Sequence, residues 1–131
     1  MKEPVWVDAR DALAIHGHLL VRHGGASGVP DEGLLESALA RPRKQVSSHD
    51  IIDMATAYTA GIVQNHPFVD GTKRTGFVVG ALFLELNGFD FTASEAEAAL
   101  AVLELAAGTI DETGFARFLR DHVKRARKRA K

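Results

Sequence analysis

The chain has 131 residues, 46% of them hydrophobic, a formal net charge of −1 and no cysteine. That length predicts one domain, residues 1–131, burying roughly two-thirds of its unfolded surface, and the hydrophobic share excludes an intrinsically disordered chain. The missing cysteines exclude a disulfide framework and a thiolate zinc site, and no segment reaches the ~20 apolar residues of a membrane span or resembles a secretory signal, so a cytoplasmic protein is the expectation.

Helical periodicity runs through most of the chain. Ala12, Ile15, His16, Leu19 and Leu20 recur at i, i+3, i+4 spacing, and Gly24-Gly25 stops this first helix. A second opens at Asp31-Glu32, carries Leu34, Leu35, Ala38 and Leu39 on one face, and is predicted to stop just before Pro42. Arg41 to Asp50 reads as a polar loop or flap. The third helix is predicted to begin near Ser48 or Asp50, to pass through Ile51, Met54, Ala55, Tyr58 and Ile62, and to end before Pro67, since a proline pushes the residue ahead of it out of the helical region.

The fourth helix contains Phe77-Val78-Val79-Gly80-Ala81-Leu82-Phe83-Leu84 and closes at Asn87-Gly88; apolar on all sides, it belongs at the centre of a bundle. Helix five opens on the capping-box pattern Ser94 to Glu97 and ends near Gly108. Helix six opens with Thr109 and Glu112 in the same relation and buries Phe115, Phe118, Leu119, His122 and Val123. Val5-Trp6-Val7 and Phe89-Asp90-Phe91 alternate too briefly to support a sheet. The predicted fold is all-α, a compact six-helix bundle around a central buried helix.

The C-terminal run from Lys124 to Lys131 carries six cations and no acid. It reads as a solubilising helix end whose charges suit the C-terminal dipole, or as a contact for nucleic acid or an acidic partner. The balanced charge of the whole chain argues against direct nucleic-acid binding.

Chemistry concentrates in His66-Pro67-Phe68-Val69-Asp70-Gly71-Thr72-Lys73-Arg74-Thr75, directly ahead of the fourth helix. A helix N-terminus offers unpaired N–H groups and a positive dipole end, which points to a phosphate ligand. Histidine is the side chain whose unperturbed pKa lies nearest neutrality, so His66 at a helix end can take a proton from an incoming hydroxyl. Asp70 can cap the helix or hold a magnesium ion that bridges phosphates. Gly71 lets an anion approach the backbone, Thr72 offers a hydroxyl and an amide, and Lys73 and Arg74 can neutralise a transferred phosphoryl group. Singly, each residue also fits a structural role. Together the balance shifts toward a ligand site, because cations in the first turn oppose the helix dipole by about 0.3–1 kcal/mol each, a cost that a bound anion offsets. Phe68 reads as a core anchor beneath the loop.

Other motifs fall away. Gly71 to Thr75 lacks the first glycine of a P-loop and no strand precedes it. His16, His18, His23, His49 and His122 show no H-E-x-x-H spacing, which argues against a zinc site; His16 and His122 lie on apolar stripes as core or boundary residues.

The segment from His66 to Thr75 resembles the Fic/Doc superfamily signature, H-x-F-x-[DE]-G-N-G-R-x-x-R in its Fic form. In the Doc form a lysine takes the position filled here by Lys73, and the final arginine, here Phe77, is lacking, so the chain resembles the Doc (death on curing) toxin branch. The stretch from Gly33 to Pro42 agrees as well. The resemblance implies a toxin of a toxin-antitoxin pair, neutralised by a Phd-like antitoxin, that uses ATP and Mg2+ to phosphorylate a threonine of elongation factor Tu and stop translation. By position it implies His66 as the catalytic base, Asp70 as the magnesium-associated carboxylate, and Gly71, Thr72, Lys73 and Arg74 as the nucleotide- and phosphate-binding turn. Thr72 departs from the family's asparagine; it is shorter and has one donor instead of two. The alternatives are an AMP transferase of the Fic type and a degenerate nucleotide- or antitoxin-binding module. Self-restraining Fic proteins carry [ST]-x-x-x-E-[GN]; here Glu32-Gly33 has Gly28 where the hydroxyl residue belongs, so restraint is expected from a second polypeptide.

Overall fold

In a computed structural model of the chain, which describes residues 3–29, 31–44 and 50–126, the axis is a helix whose middle is almost free of charge. This is α3 (Ile51–Asn65), in which Ile52 and every residue from Met54 to Val63 are buried. Around it the chain builds α1 (Ala9–His23), α2 (Glu32–Lys44), α4 (Thr72–Leu86), β1 (Phe89–Phe91), α5 (Glu95–Ala107), α6 (Glu112–Asp121) and β2 (Val123–Arg125). The expected helical bundle is what forms. Its centre is a pair, α3 against α4, since Phe77, Val78, Ala81 and Leu82 of α4 remain partly accessible.

Small residues bring that pair together. A Cβ on Gly76 would press on the Thr59 carbonyl and on Ile62 and Val63, and one on Gly80 would run into the Thr59 side chain. The Thr59 hydroxyl donates to Gly76 O at 2.8 Å across the contact. Gly61 plays the same part toward α2, with Ala38 O against it.

Local signals fix most boundaries. Asp8 and Asp11 form a capping box on α1, Ser94 and Glu97 form the predicted one on α5, and Gly108 closes α5 in the left-handed region. Several expectations are corrected. Pro42 lies inside α2 and is buried, so Arg41 to Lys44 are helical rather than loop. A proline in the last turn forfeits one hydrogen bond, to the carbonyl of Ala38, and here its ring fills core space. The cap of α6 is Asp111, whose carboxylate accepts from Gly114 N, while the Thr109 hydroxyl donates back to Glu104 O. His122 and Val123 lie beyond that helix.

Phe89–Phe91 is a strand after all, antiparallel to β2 with Phe91 opposite Val123 and Phe89 opposite Arg125. Its partner is remote in sequence, so neither segment signals a pair. Lys124 and Arg125 therefore sit in a strand and not on a helix end. The predicted start at Ser48, His49 and residues 127–131 of the basic run lie outside the described residues. Val5 is held by the Asn87 carboxamide, which accepts from Val5 N at 2.8 Å and donates to Val5 O at 3.0 Å. Tyr58 does the same for Val7 from the core. Among the described residues no helix is long and apolar enough to cross a membrane.

Candidate active site

The candidate functional segment is a sharp turn between the two central helices. α3 ends at His66, which adopts the left-handed conformation (φ 50°, ψ 57°) and donates its N–H to Ile62 O at 2.9 Å. It is the one non-glycine residue with positive φ among the described residues. Such a conformation costs about 1–3 kcal/mol and persists where the surroundings over-determine it. Pro67 and Phe68 supply the surroundings: both are fully buried, while His66 itself is exposed. Gly71, at φ 81°, then turns the chain into α4 in a conformation that favours glycine.

A second segment clamps this turn from α1. The His16 ring stacks on Phe68 with centroids 3.9 Å apart and planes 13° apart, and its Nε2 lies 2.7 Å from Asp70 O. A carbonyl only accepts, so Nε2 donates. Beyond α1 the glycine-rich loop folds back over the turn. Ala26 N donates to Asp70 Oδ2 at 2.8 Å, Val69 N donates to Gly28 O at 3.2 Å, and a Cβ on Gly25 would crowd that of Asp70.

The N-terminus of α4 has no side-chain cap. Asp70 serves the loop after α1 rather than α4, and Gly71 has no side chain to offer. The N–H groups of Thr72, Lys73 and Arg74 therefore lack an intrahelical acceptor, as the first turn of any helix does. Lys73 and Arg74 are exposed beside them. Positive dipole, unpaired donors and two cations coincide at one solvent-facing end, a binding surface for a polyanion. Thr72 differs from its neighbours: it is buried, with Oγ1 3.4 Å from both His66 Nδ1 and Phe68 O.

Among the described residues no three His, Cys, Asp or Glu side chains converge on a point that could hold a metal ion. Mg2+ is commonly carried by one or two carboxylates together with substrate phosphates. Asp70 fits that mode, since it is exposed and the loop contact involves its Oδ2.

All six residues singled out in the sequence thus lie within one turn and the helix it opens. What sequence reasoning missed is the clamp. His16 has the expected buried place, but its bond to a carbonyl 54 residues away left no local trace. Gly25 read only as part of a helix stop, and Gly28 only as the residue that breaks the self-inhibitory pattern.

Comparisons with known proteins cover the same segments of the chain. A model of the Fic/DOC family matches residues 6–84, which include α1, the glycine-rich loop and the His66 turn. The chain is similar to a protein named Toxin Doc from Mycolicibacterium smegmatis, 35% identical over 92 residues, covering 67% of this chain and 68% of that one. It is also similar to Protein kinase doc of Escherichia phage P1, 30% identical over 85 residues, covering 63% and 68%.

Proposed function

The chain belongs to the Fic/DOC family, and from that premise we propose that it is a Doc-like toxin, a protein kinase that moves the γ-phosphoryl group of ATP to a hydroxyl side chain of a translation factor, elongation factor Tu. The observation that carries the reading is the uncapped, cationic N-terminus of α4 directly after His66. The relatives named Toxin Doc and Protein kinase doc support it.

His66 takes the proton of the target hydroxyl as its oxygen bonds to the γ-phosphorus. The bond from that phosphorus to the β,γ-bridging oxygen breaks, and ADP leaves. The backbone N–H groups of Thr72, Lys73 and Arg74, with the two cations, hold the phosphates and stabilise the charge that spreads over the transferred group. Gly71 keeps the approach to them open. Asp70 would hold Mg2+, which would supply charge neutralisation at the phosphates. A Phd-like antitoxin restrains the enzyme, in keeping with the missing self-inhibitory pattern.

The test is incubation of the purified protein and elongation factor Tu with γ-labelled or α-labelled ATP. Label transferred from the γ position establishes a kinase. Label transferred from the α position would replace this reading with nucleotidyl transfer, and no label on the target with a binding module.

A further inference from the structure

We propose that Thr72 is a positioning residue that fixes the tautomer of His66, so that Nδ1 carries the proton and Nε2 presents the lone pair. The inference rests on the reading of His66 as the base. Thr72 is only 4% exposed, and its hydroxyl lies between two groups, His66 Nδ1 and Phe68 O, each at 3.4 Å. A hydroxyl has one proton to give, and the Phe68 carbonyl can only accept it. If both neighbours are to be satisfied, Oγ1 donates to Phe68 O and accepts from Nδ1–H. The base is then held by a hydroxyl which is itself held by the backbone, the arrangement of nucleophile, base and orienting group reduced to a base and its orienter. Both contacts are long for hydrogen bonds, as contacts of this kind often are before substrate closes on a site.

Three observations favour this over a phosphate contact by the side chain. The Thr72 hydroxyl is withdrawn from solvent, whereas Lys73 and Arg74 are exposed. Phe68, whose carbonyl anchors it, is itself pinned under His16. His66 sits in a strained backbone conformation that fixes the origin of its side chain. The Thr72 contribution to a nucleotide is thereby left to its backbone N–H, and the side chain works on the base.

The test is long-range 1H–15N correlation of the imidazole rings in 15N-labelled protein without nucleotide, at a pH where histidine is neutral. The His66 signals are assigned by their loss in His66→Ala. Wild type and Thr72→Ser should show the Nδ1–H tautomer, the reverse of histidine's preference in water. Thr72→Val, nearly the same shape, should revert to Nε2–H and lose tenfold or more in kcat, with magnesium-ATP affinity unchanged within twofold. A wild-type protein in the Nε2–H form overturns the proposal without any variant, and so does a Thr72→Val protein that keeps Nδ1–H. Nδ1–H in the wild type with no phosphotransfer retires the kinase and leaves the Thr72–His66 relation standing.

Discussion

His16 lies flat on Phe68, 3.9 Å between ring centroids, while its Nε2 donates to Asp70 O two residues further on. One side chain of α1 thereby fixes both the buried anchor of the functional turn and the backbone from which the α4 N-terminus starts. His16→Ala removes a stacked ring and a hydrogen bond, together about 1–3 kcal/mol. Urea unfolding should show that loss. Unchanged stability would mean that the turn holds itself.

Removal of the proposed base should separate chemistry from folding. His66→Ala is expected to keep the helical circular dichroism and the unfolding midpoint close to wild type and to lose about 10²–10⁴ in phosphotransfer rate. Growth arrest on expression in bacteria should vanish with it. Full toxicity in a folded His66→Ala protein removes His66 from the mechanism.

On the proposed function, the cations of the first turn of α4 trade stability for binding. Lys73→Ala should stabilise the nucleotide-free protein by about 0.3–1 kcal/mol at low salt, because a positive charge leaves the positive end of the dipole. The same change should weaken magnesium-ATP binding by about 1.5 kcal/mol, roughly tenfold, in calorimetric titration. A variant altered in the same direction in both measurements contradicts this account.

The contact between the two central helices depends on a missing side chain. Gly80→Ala drives a Cβ into the Thr59 side chain, which is already committed to Gly76 O, and against Ala55 O. Overpacking of this kind costs about 1–3 kcal/mol. Denaturant unfolding of the variant should show a lowered midpoint, whereas Gly108→Ala leaves the core untouched and tests only the strain of a positive φ.

Acid should weaken the join between α3 and α6. Burial raises the Asp50 pKa, but the Arg120 guanidinium at 2.7 Å and the Ile52 N–H at 2.7 Å outweigh it and hold the carboxyl below its ordinary 3.8. A depressed folded pKa stabilises above the unfolded value and ceases to do so as pH falls through the folded one. Asp50→Asn should therefore be less stable than wild type near neutrality, and the gap should close as the pH falls below the ordinary carboxylate value. A gap that persists in acid would mean that the cap, not the charge, carries the effect.

Local chemistry made much of this protein legible from its sequence. The periodicity of Ala12 to Leu20, the capping box at Ser94, the glycine at 108 and the proline after His66 each act within one turn of helix, so neighbouring residues suffice to read them. The grouping of His66, Asp70, Gly71, Thr72, Lys73 and Arg74 was legible for the same reason, since nine consecutive residues span it. Tertiary structure decided the rest. It turned the Thr72 side chain inward and Asp70 toward Ala26, paired Phe89–Phe91 with Val123–Arg125 and admitted Pro42 into α2. Above all it laid His16 on Phe68. Those outcomes depend on which surfaces remain to be buried or hydrogen-bonded once α3 and α4 have packed, a competition among residues that are distant in the chain and adjacent only in the fold.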